Sequence, residues 1–348
     1  MQQTSTQRIV YLDLLRLLAT FAVIMLHVAH SEFSLFSLRG DWYVGLGYDS
    51  LCRWCVPVFV MISGALFLNP EKAIGYRSIY KKYVSRLLLA YVFWTLVYFI
   101  WALYFYFDFN VFNNESFSLK QTLLAPFNYH LWFLPLLMAI YLLIPIMRKV
   151  AHEKKLLQYA LVLWLVFLLV SSLHYLEPFK LAKYFYPLFN KNFIIAFSGY
   201  FLLGYFLSQQ PFSKKQRLWV YLLGGMGVVV ALVGTFFLSK NAGEAEERYF
   251  DYMSLQVAAM SAAVFVLLKQ LEPKCGKGIL KSLGWLRKDL FGVYLTHVIW
   301  INVINTESFR HCCSEVITLP LITLIVFLLS LFTTKLIRLV PYLRKVVE

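Results

Sequence analysis

Residues Ile9–Val28 read IVYLDLLRLLATFAVIMLHV, an apolar run into which Asp13, Arg16 and His27 are set. A helix of that length rises about 30 Å, the thickness of a bilayer's hydrocarbon core. Three residues advance a helix by about 300° and eleven by about 1100°, so the three polar side chains project from one face. From Arg16 to His27 the rise is about 16 Å, half the core. A charge at that depth costs at least ~2.5–3.5 kcal/mol, so such residues normally face a cavity and act there. Asp13 and Arg16, spaced i,i+3, neutralise each other in part. His27 can exchange a proton near neutral pH, and Arg16 can hold a phosphate or a developing oxyanion. The plainer reading is a buried ion pair and an interhelical histidine that serve packing alone. Three such residues on one stripe favour function.

The rest of the chain repeats the pattern. Sixty per cent of its residues are apolar and 15% charged, and its mean hydropathy is +0.65, which excludes an ordinary soluble enzyme. Ten apolar runs are centred near residues 19, 60, 95, 138, 165, 200, 228, 260, 298 and 326. The first is too long for a signal-peptide core and lacks a small-x-small cleavage site, so it reads as a retained span. The sequence thus predicts an all-α polytopic membrane protein, one domain over residues 1–348, with about ten transmembrane helices. No fused soluble domain, low-complexity linker or internal repeat is visible.

Lysine and arginine set the orientation. With the N-terminus in the cytoplasm and ten spans, 24 of the 33 basic residues fall on the cytoplasmic side and about 12 of the 18 acids outside. Both termini are therefore expected to be cytoplasmic. The net charge of +15 is explained by this bias and by attraction to anionic headgroups, and nucleic-acid binding is not expected. Segments 31–50, 108–129, 174–192, 239–249 and 307–315 become outer loops that re-enter the membrane or roof a cavity. The stretch Glu272–Asp289, with Lys274, Lys277, Lys281, Arg287 and Lys288, is expected as an inner interfacial helix. Cys52 and Cys55, near the start of the second span, and Cys312 and Cys313, in the last outer loop, read as apolar filler. A disulfide among them stays open in an oxidising compartment, whereas His311 and Glu315 beside the second pair match no standard metal spacing.

Further polar groups recur inside the spans. In Cys52–Leu68 (CRWCVPVFVMISGALFL) Arg53 either snorkels to the outer interface or faces a substrate, Pro57 kinks the helix, and Ser63-Gly64 lets another helix approach closely. Lys81, Lys82 and Arg86 enter the third span. Topology accounts for most of this charge, but Arg86 is deeper than topology requires and points to a bound cytosolic phosphate. His130 and Trp132 open the fourth span at the outer face, where an aromatic ring with a polar edge suits a sugar. Tyr294 and His297 share a face of the ninth, either in an interhelical hydrogen bond or lining a cavity with His27. There is no glycine-rich phosphate loop, no HExxH and no GxSxG elbow.

In this order the motifs resemble the membrane acyltransferase-3 family in its short form, the form of the enterobacterial common antigen O-acetyltransferases and of the membrane protein of the staphylococcal intercellular-adhesin system. The resemblance rests on Asp13-x-x-Arg16-x10-His27, Arg53-x-x-Val56-Pro57-x-Phe59-x-Met61-Ile62-Ser63-Gly64, Tyr80-Lys81-Lys82 through Arg86, His130-Leu131-Trp132-Phe133, Gly199-Tyr200 with Gly204, and Tyr294-x-x-His297. Family members often carry an arginine where this chain has Tyr83. The resemblance implies an O-acyltransferase of the bacterial cytoplasmic membrane. Its co-substrate would be acyl-CoA, with acetyl-CoA the default, and no metal would be needed. The acceptor would be a hydroxyl of an extracytoplasmic glycan or lipid-linked saccharide. Lys81, Lys82, Arg86 and Arg16 would bind the donor. His27, with Arg16 and Asp13, would act as base or covalent relay. Arg53, His130, Trp132, Tyr294 and His297 would face the acceptor. The bilayer is then the obligatory partner, and a homo-oligomer is left open. The competing classes are a small-molecule exporter, against which the lack of an inverted repeat and of matched broken helices counts, and a non-catalytic partner of a polysaccharide synthase.

Overall fold

The computed structural model describes residues 9–72, 74–106, 129–173, 193–272, 283–304 and 314–348. Among them are helices and short turns but no strand. We label the helices α1 (Val10–Phe33), α2 (Gly40–Cys52), α3 (Cys55–Phe67), α4 (Ser85–Tyr106), α5 (Phe133–Leu142), α6 (Ile144–His152), α7 (Lys154–Leu173), α8 (Phe193–Gln209), α9 (Lys214–Ala242), α10 (Leu255–Leu271), α11 (Leu290–Ile304) and α12 (Glu315–Leu339).

Seven helical segments are long and apolar enough to cross a bilayer, and α5 with α6, bent by 61°, would make an eighth. Helices α8 and α11 have 17 and 15 residues, short of the roughly 20 that a straight span needs. The described residues therefore support seven or eight crossings by length, and the expected ten only if both short helices also cross.

Helix α1 is the hub. It packs against α2, α3, α10, α11 and α12, and Leu15, Ala19, Ile24 and Ala29 are wholly buried there. The largest departure from expectation is residues 31–50. The sequence LRGDWYVGLGYDS looks like a loop, yet Gly40–Phe67 forms one broken span whose first half, α2, lies against α1. Gly45 makes that approach close: a Cβ there would sit 2.8 Å from the Phe33 backbone nitrogen and 2.9 Å from the Ala29 oxygen. The Trp42 indole, fully buried, donates to the Phe33 carbonyl at 2.9 Å. The span breaks at Arg53–Trp54, and Pro57 falls in the first turn of α3, where its missing N–H costs nothing.

Two further expectations change. Segment 239–249 is not a plain outer loop: α9 runs to Ala242, Gly243 caps it in the left-handed conformation (φ 75°), and the chain folds back so that Phe250 is buried. Of the expected interfacial helix, Lys274, Lys277 and Lys281 lie outside the described residues. Asp289 is buried and ion-paired with Lys335 (3.2 Å) and Arg338 of α12. Of the segments expected as outer loops, 108–128, 174–192 and 307–313, with Cys312 and Cys313, also lie outside the described residues. Cys52 and Cys55 are buried free thiols.

Candidate active site

A cavity of about 470 Å³ opens at one end of the bundle among α1, α3, α4, α5, α11 and the C-terminal segment. That volume is within the range of ligand pockets. Its mouth is basic: Arg16, Arg86, Arg287, Lys288 and Arg344 line it beside a single carboxylate, Glu348. Glu348 already pairs with Arg338 and Arg344, each at 2.8 Å, so the cationic excess is large. Ser63 and Tyr141 form the wall, with their hydroxyls 3.3 Å apart. Phe59, Phe133 and Tyr294 line its apolar part.

Arg16 reaches this cavity because α1 continues unbroken past it. Asp13, 3% exposed, holds the guanidinium at 3.3 Å. The i,i+3 pair expected from sequence is therefore formed, and it leaves Arg16 partly exposed to the cavity. Arg86 lines the mouth as well. Lys81 and Lys82 do not: both are exposed on the π-helical turn Ile79–Val84 that precedes α4. Tyr83, at the position where the family often has arginine, points its ring edge at Phe67, centroids 4.8 Å apart. The cations gathered with Arg86 are instead Arg287, Lys288 and Arg344, which the sequence reading assigned to topology.

Beyond Tyr294 three histidines from three parts of the chain converge. His27 of α1 and His297 of α11 stack, with centroids 5.4 Å apart and planes at 22°. His130, in the turn before α5, meets His297 edge-on at 5.1 Å. His130 and His297 are buried and His27 is half-buried. Tyrosines frame them. Tyr129 lies 4.7 Å from His27 and Tyr98 lies 5.1 Å from His130. The Tyr294 hydroxyl donates to the His130 carbonyl. Tyr294 thus belongs both to the cavity and to the histidine cluster. Among the described residues no group of three or more His, Cys, Asp or Glu is disposed to hold a metal ion.

Arg53 and Trp132 belong to an adjoining layer and do not line the cavity. Arg53 is 6% exposed, so it does not snorkel. It donates to Asp49 at 2.6 Å, and its guanidinium lies 4.0 Å from the Phe250 ring centroid. His30 bonds the same Asp49 oxygen at 3.0 Å and faces Glu247 at 3.4 Å. Tyr252 is in hydrogen-bonding reach of Arg53 and stacks on Trp132 at 6.0 Å. The sequence reading missed His30, Asp49, Glu247 and Tyr252. The signals present were Asp49 four residues before Arg53 and His30 three after His27.

The fold and this site define a multi-pass membrane protein with a basic cavity that shares Tyr294 with a cluster of three histidines. A family model described as an acyltransferase domain matches residues 9–337, and the chain belongs to that family, the acyltransferase-3 family. It is a membrane acyltransferase. Neither a curated protein nor a solved structure matches it significantly.

Proposed function

We propose that the protein moves an acyl group, acetyl by default, from cytoplasmic acyl-CoA to a hydroxyl of an extracytoplasmic glycan or lipid-linked saccharide, in the cytoplasmic membrane of a bacterium. The observation that carries this reading is one continuous arrangement: a cavity with five cations at its mouth whose Tyr294 belongs also to the His27–His297–His130 cluster. The phosphates of coenzyme A are polyanionic and match Arg86, Arg287, Lys288 and Arg344. The flexible pantetheine arm suits the apolar depth beyond them, and the thioester would come to rest near the histidines.

The proposed roles divide along α1. Arg16 and His27 are separated by a rise of about 16 Å along α1, too far for both to act on one carbonyl. Arg16, oriented by Asp13, is therefore a donor-binding residue. His27 is the group at the reacting centre, as base or as covalent relay. Trp132, through Tyr252 and Arg53, stabilises the wall on which the acceptor would rest.

The test uses purified protein in lipid nanodiscs with radiolabelled acetyl-CoA. Thioester loss and label transfer are followed for wild type and His27→Ala. Turnover that disappears in His27→Ala at unchanged acetyl-CoA binding supports the reading. Unchanged turnover removes His27 from the reaction, and absence of acetyl-CoA binding by wild type favours the transport alternative.

A further inference from the structure

Resting on the acyltransferase reading above, with His27 as the covalent relay, we propose that His297 is the general base that takes the proton of the acceptor hydroxyl. Its Nδ1 lies 2.6 Å from the carbonyl oxygen of Tyr294 one turn back on α11. A carbonyl can only accept, so the proton of the neutral ring sits on Nδ1 and the Nε2 lone pair is free. That Nε2 is buried and has no hydrogen-bond partner among the described residues. Leaving a buried acceptor unpaired costs about 1–3 kcal/mol, and an orphan of this kind is a place for a ligand's donor.

The two stacked rings are not equivalent. His27 is half-buried, and among the described residues no hydrogen bond holds its ring, so it has no fixed tautomer. His297 is fully buried and locked. The lock is also tied to the cavity, because the Tyr294 that supplies the carbonyl lines the cavity with its side chain. The hydrogen bond stays within α11. The interhelical bond that the Tyr294-x-x-His297 spacing also allows would have used up the free nitrogen.

The step balances as follows in atoms and electrons. A ring nitrogen of His27 first bonds to the acyl carbon, the carbon–sulfur bond of the thioester breaks, the sulfur leaves with the electron pair, and the ring N–H proton of His27 goes to the thiolate. The acceptor O–H proton then passes to Nε2 of His297 while the acceptor oxygen bonds to the acyl carbon and the carbon–nitrogen bond to His27 breaks. The imidazolium of His297 returns its proton to His27, and both rings end neutral.

The experiment uses membrane vesicles from cells making the full chain, supplied with radiolabelled acetyl-CoA. Two acceptors are compared: the glycan already in the vesicles, and hydroxylamine, which attacks an acyl group without first losing a proton. Because hydroxylamine also attacks free thioester, hydroxamate is counted only above that formed by vesicles lacking the protein. In His297→Gln, label in the glycan should fall at least ~100-fold, the usual scale for losing a general base. Hydroxamate formation should stay within about threefold of wild type on the same reasoning. Glycan labelling within about threefold of wild type, or equal loss with both acceptors, overturns the assignment, the latter because it marks a binding or folding defect. If wild type forms neither product, the acyltransferase reading fails and this inference with it, a pattern that differs from both.

Discussion

Gly64→Ala is the sharpest test of how the bundle is held together. Helices α3 and α8 meet at Gly64 and Gly204, where small residues let two backbones touch. A Cβ on Gly64 would lie 1.8 Å from the Phe201 carbonyl oxygen, and one on Gly204 would lie 2.0 Å from the Met61 carbonyl oxygen. The obstacle is backbone in both cases, so no rotamer change relieves it. Restoring ordinary contact near 3.4 Å requires the helices to separate by roughly 1.5 Å, which forfeits packing along the whole interface. Overpacking of this kind costs on the order of 3 kcal/mol, a fall of roughly 5 °C or more in Tm for a chain of this size. Gly225→Ala is the matched control, because nothing lies within 4 Å of the added methyl and the change should be neutral within ~1 kcal/mol. One separation relieves both clashes, so Gly64→Ala with Gly204→Ala should cost less than the sum of the two singles. Thermal melts of the full chain in detergent, read by size-exclusion chromatography, measure all four variants. Equal Tm for Gly64→Ala and Gly225→Ala, or strict additivity of the pair, would refute the packing argument.

The mouth of the cavity gives a second contrast: Arg86→Ala and Arg344→Ala should each weaken acetyl-CoA binding about tenfold, the loss of one charge-assisted phosphate contact. Lys81→Ala with Lys82→Ala should change it less than about twofold, as for exposed charges, and equilibrium binding in nanodiscs reads both. Arg53→Ala should destabilise the fold by roughly 3–5 kcal/mol, because it leaves the buried Asp49 carboxylate without its arginine. Adding Asp49→Asn should recover part of that loss in the same thermal melt.

Most of the helices were legible because each carries a run of apolar residues that only a membrane span or a buried helix explains. The Asp13–Arg16–His27 stripe was legible for a related reason: within one helix, spacing fixes direction. Helix α2 was not. Gly40, Gly45 and Gly47, with Asp41 and Asp49, read as a loop, and only the tertiary partner shows that Gly45 is a contact point and that Asp49 is held by Arg53 and His30. The mouth of the cavity was half legible. Arg86 stood out by its depth, but topology explains Arg287, Lys288 and Arg344 one by one, and their convergence with a residue some 200 positions earlier leaves no local trace. Lys81 and Lys82 lie close to Arg86 in sequence, but both are exposed on the turn before α4 and neither lines the cavity. The histidine cluster shows the same limit: Tyr294-x-x-His297 placed both side chains on one face, but the stacking of His297 on His27 is a tertiary fact.

In the proposed function the donor enters at the basic mouth and the acyl group leaves on the other side of the membrane. Sealed vesicles carrying the protein in one orientation test it, with radiolabelled acetyl-CoA offered first to one face and then to the other. Label should reach the glycan only when acetyl-CoA is offered to the face bearing Arg86, Arg287, Lys288 and Arg344. Labelling from the opposite face, or equally from both, would contradict it.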